Sequence, residues 1–141
     1  CAPVGSMLVG DIDFIKKARK KRKLMGGGMR QAGILGAAGL IALKEMRLRL
    51  VEDHENAKYM AEELSKIQGI EVLKDNLDIN MVFFNITDNR LKGKMTKEAF
   101  LKEGIKINPE EDNMMRFVCH YYISKSDIDT VINLIHRLRR Y

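Results

Sequence analysis

Three consecutive glycines, Gly26-Gly27-Gly28, divide the first third of this 141-residue chain. One glycine inside a helix costs about 1 kcal/mol relative to alanine, so three in a row must end any helix that precedes them. Ahead of them the sequence predicts a helix capped by Asp11 or Asp13 and running to Lys23, acidic at its start and basic at its end, as the helix dipole favours. Behind them a second helix is expected from Met29 to Met46, where Gly33, Gly36, Ala37, Ala38 and Gly39 suit the close approach of another backbone. Ser6-Met7-Leu8-Val9, apolar and bounded by Gly5 and Gly10, reads as a buried strand.

A different pattern begins near Arg49. Leu50, His54, Ala57, Ala61 and Leu64 fall at spacings of four, three, four and three, which predicts an amphipathic helix over 49–67. Strands are expected at Ile70–Leu73, Asn80–Ile86, Gly104–Ile107 and Met115–His120, with a short helix, Thr96–Glu103, between the second and third. The last helix spans 125–140, with Ser124 and Asp127 forming a capping-box-like pair and Ile128, Val131, Ile132, Ile135 and Leu138 making its core stripe. This alternation predicts an α+β unit, an antiparallel-rich sheet with helices on one face. The domains read as 1–48 and 49–141, and a chain of this length holds one small domain plus part of another.

Hydrophobic residues at 45% and charged residues at 31% supply a core and argue against disorder. The net charge of +6 is local: residues 1–49 hold 11 Lys/Arg against 3 Asp/Glu, and residues 50–141 hold 14 against 16. Most of the excess lies in Lys16-Lys17-Ala18-Arg19-Lys20-Lys21-Arg22-Lys23. Such a run invites a nucleic-acid reading. No aromatic residue interleaves it and no binding motif surrounds it, so a solvated helix face is preferred and no nucleic-acid partner is expected. Cys1 and Cys119, with no CxxC, argue for a reducing compartment and against a zinc site or other metal centre. The longest apolar stretch, Ala32 to Leu43, has 12 residues against the roughly 20 a bilayer needs, so no membrane partner is expected and the cytoplasm is the default location. Cys1 read as an amide-hydrolysing nucleophile finds no support elsewhere in the chain.

Taken alone, Gly26-Gly27-Gly28-Met29-Arg30 is a loop with free N–H groups, and it lacks the Gly-Lys-Ser/Thr of a phosphate loop. Arg116, alternating with Phe117 in Met115-Arg116-Phe117-Val118-Cys119-His120, should share a strand face with Val118. A half-buried Arg there needs an anion, which a structural ion pair with Glu111 or Asp112 would supply. Two long blocks add to these readings: Cys1-Ala2-Pro3-Val4-Gly5-Ser6-Met7-Leu8-Val9-Gly10, and Arg22-Lys23 leading into Gly26-Gly27-Gly28-Met29-Arg30-Gln31-Ala32-Gly33. With Asp53-His54-Glu55-Asn56, Asp78-Ile79-Asn80 and the Arg116 strand, they closely resemble the low-specificity L-threonine aldolases, fold-type-I enzymes that use pyridoxal 5′-phosphate (PLP).

The resemblance covers almost the whole chain, most strongly over 1–45 and 114–124. It implies an α/β fold, the C-terminal part of a fold-type-I PLP-dependent enzyme, with 1–48 ending the large domain and 49–141 forming a small α+β domain. It implies that Arg116 and Lys23 bind the amino-acid substrate, Arg116 through its carboxylate, and that Arg30 helps hold the cofactor phosphate. Guanidinium and ammonium groups suit both anions. His54 and His120 are read as structural, and Asn80 as turning toward the domain seam. The family's Schiff-base lysine lies in a Ser-Lys-Gly-Leu run that would stand just ahead of Cys1. The pyridine-nitrogen acid, the ring-stacking His and the phosphate-binding Gly-Thr loop belong to the same upstream part.

No catalytic residue is therefore expected in this chain, which should be inactive alone although PLP serves the complete enzyme as an electron sink. The implied reaction cleaves threonine or allo-threonine to glycine and acetaldehyde within a homotetramer. The rival readings are a non-catalytic split subunit or assembly module that docks with a complementary N-terminal chain, another β-eliminating lyase of the same fold, and a basic nucleic-acid-binding protein.

Overall fold

The computed structural model describes residues 2–111 and 114–140. The readings placed on Cys1 and Asp112 lie outside the described residues. The chain divides into two units, Cys1–Arg49 and Leu50–Tyr141.

The N-terminal unit holds two helices, α1 (Ile12–Leu24) and α2 (Gly33–Lys44), and one 3-10 turn at Met46–Arg49. Asp11 caps α1, its side chain accepting the Phe14 N–H at 2.8 Å. At the other end the glycines close the helix. The Gly26 N–H donates to the Lys23 carbonyl at 3.2 Å and the Gly27 N–H to the Arg22 carbonyl at 2.8 Å, with Gly26 at φ +81°. This pair of bonds is a Schellman motif, and the left-handed residue at its centre is glycine because a Cβ would be strained there. α2 begins later than Met29, after Gln31, which adopts φ +52°, and no side chain caps its start. Neither helix buries a residue.

The strand expected at 6–9 is absent; Met7 and Val9 are 86% and 82% exposed. A strand needs a neighbour for its ladder, and among the described residues none pairs with this segment.

The C-terminal unit is built around α3 (Leu50–Ser65), α4 (Asn89–Lys94), α5 (Lys97–Leu101), α6 (Lys125–Arg140) and an antiparallel sheet of β1 (Ile70–Val72), β2 (Met81–Ile86) and β3 (Met114–Val118) in that order. α3 buries Ala57, Met60, Ala61 and Leu64 at helical spacing, while Leu50 is exposed and His54 half-buried. Asp53, not His54, is the polar residue that α3 carries into the interior. Alternation sends Val82, Phe84, Ile86, Met115 and Phe117 to one sheet face, where α3 and α4 pack. The opposite face carries Phe83 across from Arg116 and Met81 across from Val118.

Phe84 and Phe100 are fully buried, with the Phe117 ring centroid 5.1 Å and 6.4 Å from theirs respectively. Burying a side chain of that size stabilises the fold by roughly 1.5–3 kcal/mol. The turn into β1 rests on Gly69 at φ +93°, whose carbonyl accepts the Thr87 N–H at 2.8 Å. A Cβ on Gly69 would lie 2.6 Å from the Asp88 Cβ.

Two elements differ from expectation. α4 was not foreseen; six residues are too few for a periodic signal, and only Asp88, accepting the Arg90 N–H at 2.8 Å, marks its start. Gly104–Ile107 is not a strand. The Gly104 and Ile105 N–H groups donate to Leu101 and Phe100 carbonyls, closing α5, so the segment enters already committed to a helix end. Ile107 still fills the core as an irregular residue. At α6 the foreseen cap forms: Asp127 Oδ2 accepts the Ser124 N–H at 2.8 Å, and Ser124 Oγ accepts the Asp127 N–H at 3.3 Å. Ile128, Ile132 and Ile135 are buried as expected, Val131 and Leu138 partly so, and Leu134 joins them. Among the described residues, no helix is long and apolar enough to cross a membrane.

Candidate functional site

Arg116 stands at the middle of β3, an edge strand, on the sheet face turned away from the helices. It is exposed, where the sequence suggested a half-buried residue needing a structural partner. Among the described residues its guanidinium makes no hydrogen bond and no ion pair. Burial was inferred from apolar neighbours, but the alternation of a strand puts Met115 and Phe117 inside and leaves Arg116 outside.

Beside Arg116 opens a cleft of about 260 Å³, lined also by Lys106, Asn108, Val118, His120 and Asp127. Its floor is apolar, with Ile107, Phe117 and Ile128. The carboxyl of Asp127 is held below its usual range by the Ser124 hydroxyl and, next, by the Ser124 N–H, so it remains an anion serving the α6 cap. The cleft thus offers one free planar fork of donors, a neighbouring ammonium and a fixed carboxylate over an apolar base. A small zwitterion with a carboxylate for Arg116 matches that arrangement.

The loop carrying His120 is pinned from two sides. Asn80 Nδ2 donates to the Cys119 carbonyl at 2.5 Å while the Cys119 N–H donates to the Asn80 carbonyl at 2.8 Å. Asn56 Nδ2, from α3, donates to the Ile123 carbonyl at 2.9 Å. Asn80 therefore spends its amide on the end of β3. His120 Nδ1 accepts the Tyr122 N–H at 3.3 Å, which orders the turn as a structural histidine would. The Cys119 thiol is wholly buried and pushed up to about 11, chiefly by burial and then by the Asp53 charge, so it is an inert packing group.

Lys23 and Arg30 belong to the N-terminal unit. Lys23 is exposed in the last turn of α1, and Arg30 is exposed in the loop ahead of Gln31. The unit's cavity, about 390 Å³, is lined by Ser6, Met7, Leu8, Ile15, Arg19 and Arg22, with neither Lys23 nor Arg30 among its walls. Among the described residues of this unit no buried polar group accompanies them, so those residues do not by themselves make a PLP site. The structure gathers Arg116, Lys106 and His120 around one cleft, whereas Lys23 and Arg30 are separate solvent-exposed cations. Lys106, Asp127 and Asn56 were missed as site residues; the polar Lys106 between Ile105 and Ile107 was the available signal. Among the described residues no group of His, Cys, Asp and Glu is placed to hold a metal ion.

Comparison with known proteins adds a family model described as beta-eliminating lyase, which matches residues 1–87. Low-specificity L-threonine aldolase 1 of Arabidopsis thaliana is 41% identical over 128 residues, covering 90% of this chain and 36% of that protein. The low specificity L-threonine aldolase of Escherichia coli (strain K12) is 41% identical over 129 residues, 92% of this chain and 37% of its own length. A probable low-specificity L-threonine aldolase 2 of Arabidopsis thaliana is 36% identical over 138 residues, with coverages of 97% and 39%. The chain thus spans somewhat over a third of the length of these relatives.

Proposed function

The chain belongs to the beta-eliminating lyase family, and on that footing we propose that it is the part of a PLP-dependent threonine aldolase that supplies the substrate's carboxylate clamp. The observation that carries this reading is Arg116: an exposed guanidinium, free of protein partners among the described residues, at the mouth of a cleft. A bidentate arginine pair fixes both the position and the rotation of an amino acid about its Cα, and that rotation selects which bond is broken. In the complete enzyme the substrate is a β-hydroxy amino acid such as threonine, cleaved between Cα and Cβ to glycine and an aldehyde. Lys23 and Arg30 join the site when the remainder of the large domain and a neighbouring subunit are present, Lys23 toward substrate and Arg30 toward the PLP phosphate. The Schiff-base lysine comes from outside these residues, so the chain alone is inactive.

The test is a chimera that places the N-terminal portion of the Escherichia coli relative, through its cofactor lysine, ahead of Cys1. With PLP it should release acetaldehyde from threonine, while the 141-residue chain with PLP should not. Arg116→Ala in the chimera should lower kcat/KM by about 10- to 100-fold, the worth of a charge-assisted bond, and Arg116→Lys should restore only part of it. A folded, PLP-bound chimera indifferent to Arg116→Ala would sink the clamp, and acetaldehyde release by the chain alone would sink the division of labour.

A second reading, a non-catalytic module that docks with a separate complementary chain, is favoured by one observation: α1 and α2 bury nothing and leave Ile34, Leu40, Ile41 and Leu43 exposed. Co-purification of this chain with such a polypeptide, without restored acetaldehyde release, would favour it over the first.

A further inference from the structure

The cleft beside Arg116 separates β3 from the irregular segment 105–108. The Cys119 N–H donates to the Asn80 carbonyl, which makes Asn80 and Cys119 a hydrogen-bonded pair. Such pairs alternate along an antiparallel ladder, so Phe117 and Met115 also turn their main chains toward β2. Met114, Arg116 and Val118 turn theirs toward the free edge. Met114 spends its groups on Glu111, its N–H donating to the Glu111 carbonyl at 2.9 Å and the Glu111 N–H to its own carbonyl at 3.0 Å. Continued from that bridge, the register sets Pro109 opposite Arg116 and Ile107 opposite Val118, and neither pair forms.

Pro109 has no N–H to give the Arg116 carbonyl, which costs that ladder one bond. The larger obstacle is phase. Opposed side chains share a sheet face, so this register would send Lys106 and Asn108 inward with Cys119 and Phe117 and leave Ile105 and Ile107 outside. The core holds the reverse: Ile107 is buried in it and Ile105 packs against it, while Lys106 and Asn108 are exposed. The segment therefore carries one residue more than its pairing needs, at Pro109-Glu110, where Glu110 is tied to Lys92 of α4 at 2.7 Å. Resting on the carboxylate clamp proposed above, we propose that this extra residue is a positioning device: it keeps 105–108 off β3 and holds the cleft open beside the Arg116 guanidinium. The outward main-chain groups of Arg116 and Val118 are thereby left for a bound amino acid. An extra residue beside a site commonly ends pairing in this way. With one residue fewer, Asn108 would pair with Arg116 and Lys106 with Val118, in phase, and a fourth strand would occupy the cleft.

The test is deletion of Glu110 and, separately, of Pro109, since either restores the phase. In the full 141-residue chain, amide hydrogen exchange read by NMR should show the Val118 N–H protected about tenfold or more over the parent, with the helical circular dichroism retained. Pro109→Ala and Glu110→Gln keep the length and should leave Val118 as open as before, which separates residue count from residue chemistry. In the threonine-cleaving chimera both deletions should raise KM about tenfold with kcat within about threefold, because a closed cleft competes with substrate without altering the bound state. The two length-preserving variants should match the parent. A folded deletion variant whose Val118 amide exchanges as fast as the parent's overturns the proposal and leaves the clamp standing. Protection gained equally by Pro109→Ala overturns it as well, and so does unfolding of both deletion variants, because in-phase pairing adds hydrogen bonds to the same core. Protection gained with KM unchanged overturns the cleft's assignment to substrate, while the clamp itself is judged separately by Arg116→Ala.

Discussion

In the C-terminal unit Ala57, Leu64, Phe84, Phe100, Ile128 and Ile135 are wholly withdrawn from water, whereas in the N-terminal unit neither helix buries any residue. Both units are rich in helix, so helix content does not explain the contrast. α3 and α6 each carry one apolar stripe and one polar face, and both stripes enter the same core, α3 against the sheet and α6 against α3 and α4. α1 is polar almost all round, while α2 is apolar on most sides, with Ile34, Leu40, Ile41 and Leu43 facing solvent. A helix apolar all round is built to be surrounded, and a polar helix cannot surround it. The lesson is that a core forms where amphipathic faces match in pairs; apolar residues without matching faces remain surface.

That contrast can be broken most forcefully at Phe84. Phe84→Ala should cost about 3–5 kcal/mol in urea unfolding, while Leu40→Ala in α2 should change the midpoint by no more than about 0.5 kcal/mol. Comparable losses from the two would mean that α2 has a core after all. Next in size is a pair of glycine substitutions of opposite sign. Gly69→Ala forces a left-handed residue into contact with Asp88 and should destabilise by about 1–3 kcal/mol. Gly36→Ala, with open space around its Cα, should add helix by circular dichroism and stabilise α2 by up to about 1 kcal/mol.

Ser124→Ala should cost about 1 kcal/mol near neutral pH by removing the α6 cap. Because the Ser124 bonds hold the Asp127 carboxyl below its usual range, their contribution is present above the unfolded carboxylate range and lost as pH falls through the folded value. The variant should therefore show a shallower fall in midpoint on acidification than the parent. Smallest is an alkaline effect at Tyr59, whose hydroxyl donates to Asp129 Oδ1 at 2.5 Å with Lys125 Nζ 4.1 Å from the ring centre. The hydrogen bond to Asp129, then burial, pushes Tyr59 from 10.0 up to about 12. The folded chain keeps a proton that the unfolded chain releases, so this support is full below pH 10 and disappears as pH rises through about 12. Tyr59→Phe should lose that part of the slope while Cys119, raised in the same direction, contributes equally to both proteins.

The sequence was most readable where a local device declares itself. Asp11 and Ser124 cap the helices they were expected to start, and the glycine triplet ends α1 with a bond pattern that only its backbone permits. The alternation in β2 and β3 was legible for the same reason, since one face of each strand is apolar. What could not be read was set at a distance. Residues 6–9 have a strand's composition but find no neighbour among the described residues to complete a ladder. Gly104–Ile107 has a strand's alternation, but its first amides are taken by α5. Arg116 was singled out from its strand and family motif, yet its exposure depends on which sheet face α3 covers, and Lys106 reaches the same cleft only because that irregular segment passes beside β3.

The order of the two units along the chain has a consequence during synthesis. Polypeptide leaves the ribosome from its N-terminus, so Cys1–Arg49 emerges before any of the residues that form the C-terminal core. When these 141 residues are synthesised by themselves, α2 presents Ile34, Leu40, Ile41 and Leu43 with no core among the described residues of its unit to enter while residues 50–140 are translated. A nascent segment of that kind is a natural client for chaperones that hold apolar stretches, and its yield in a cell should depend on their supply more than that of the C-terminal unit does.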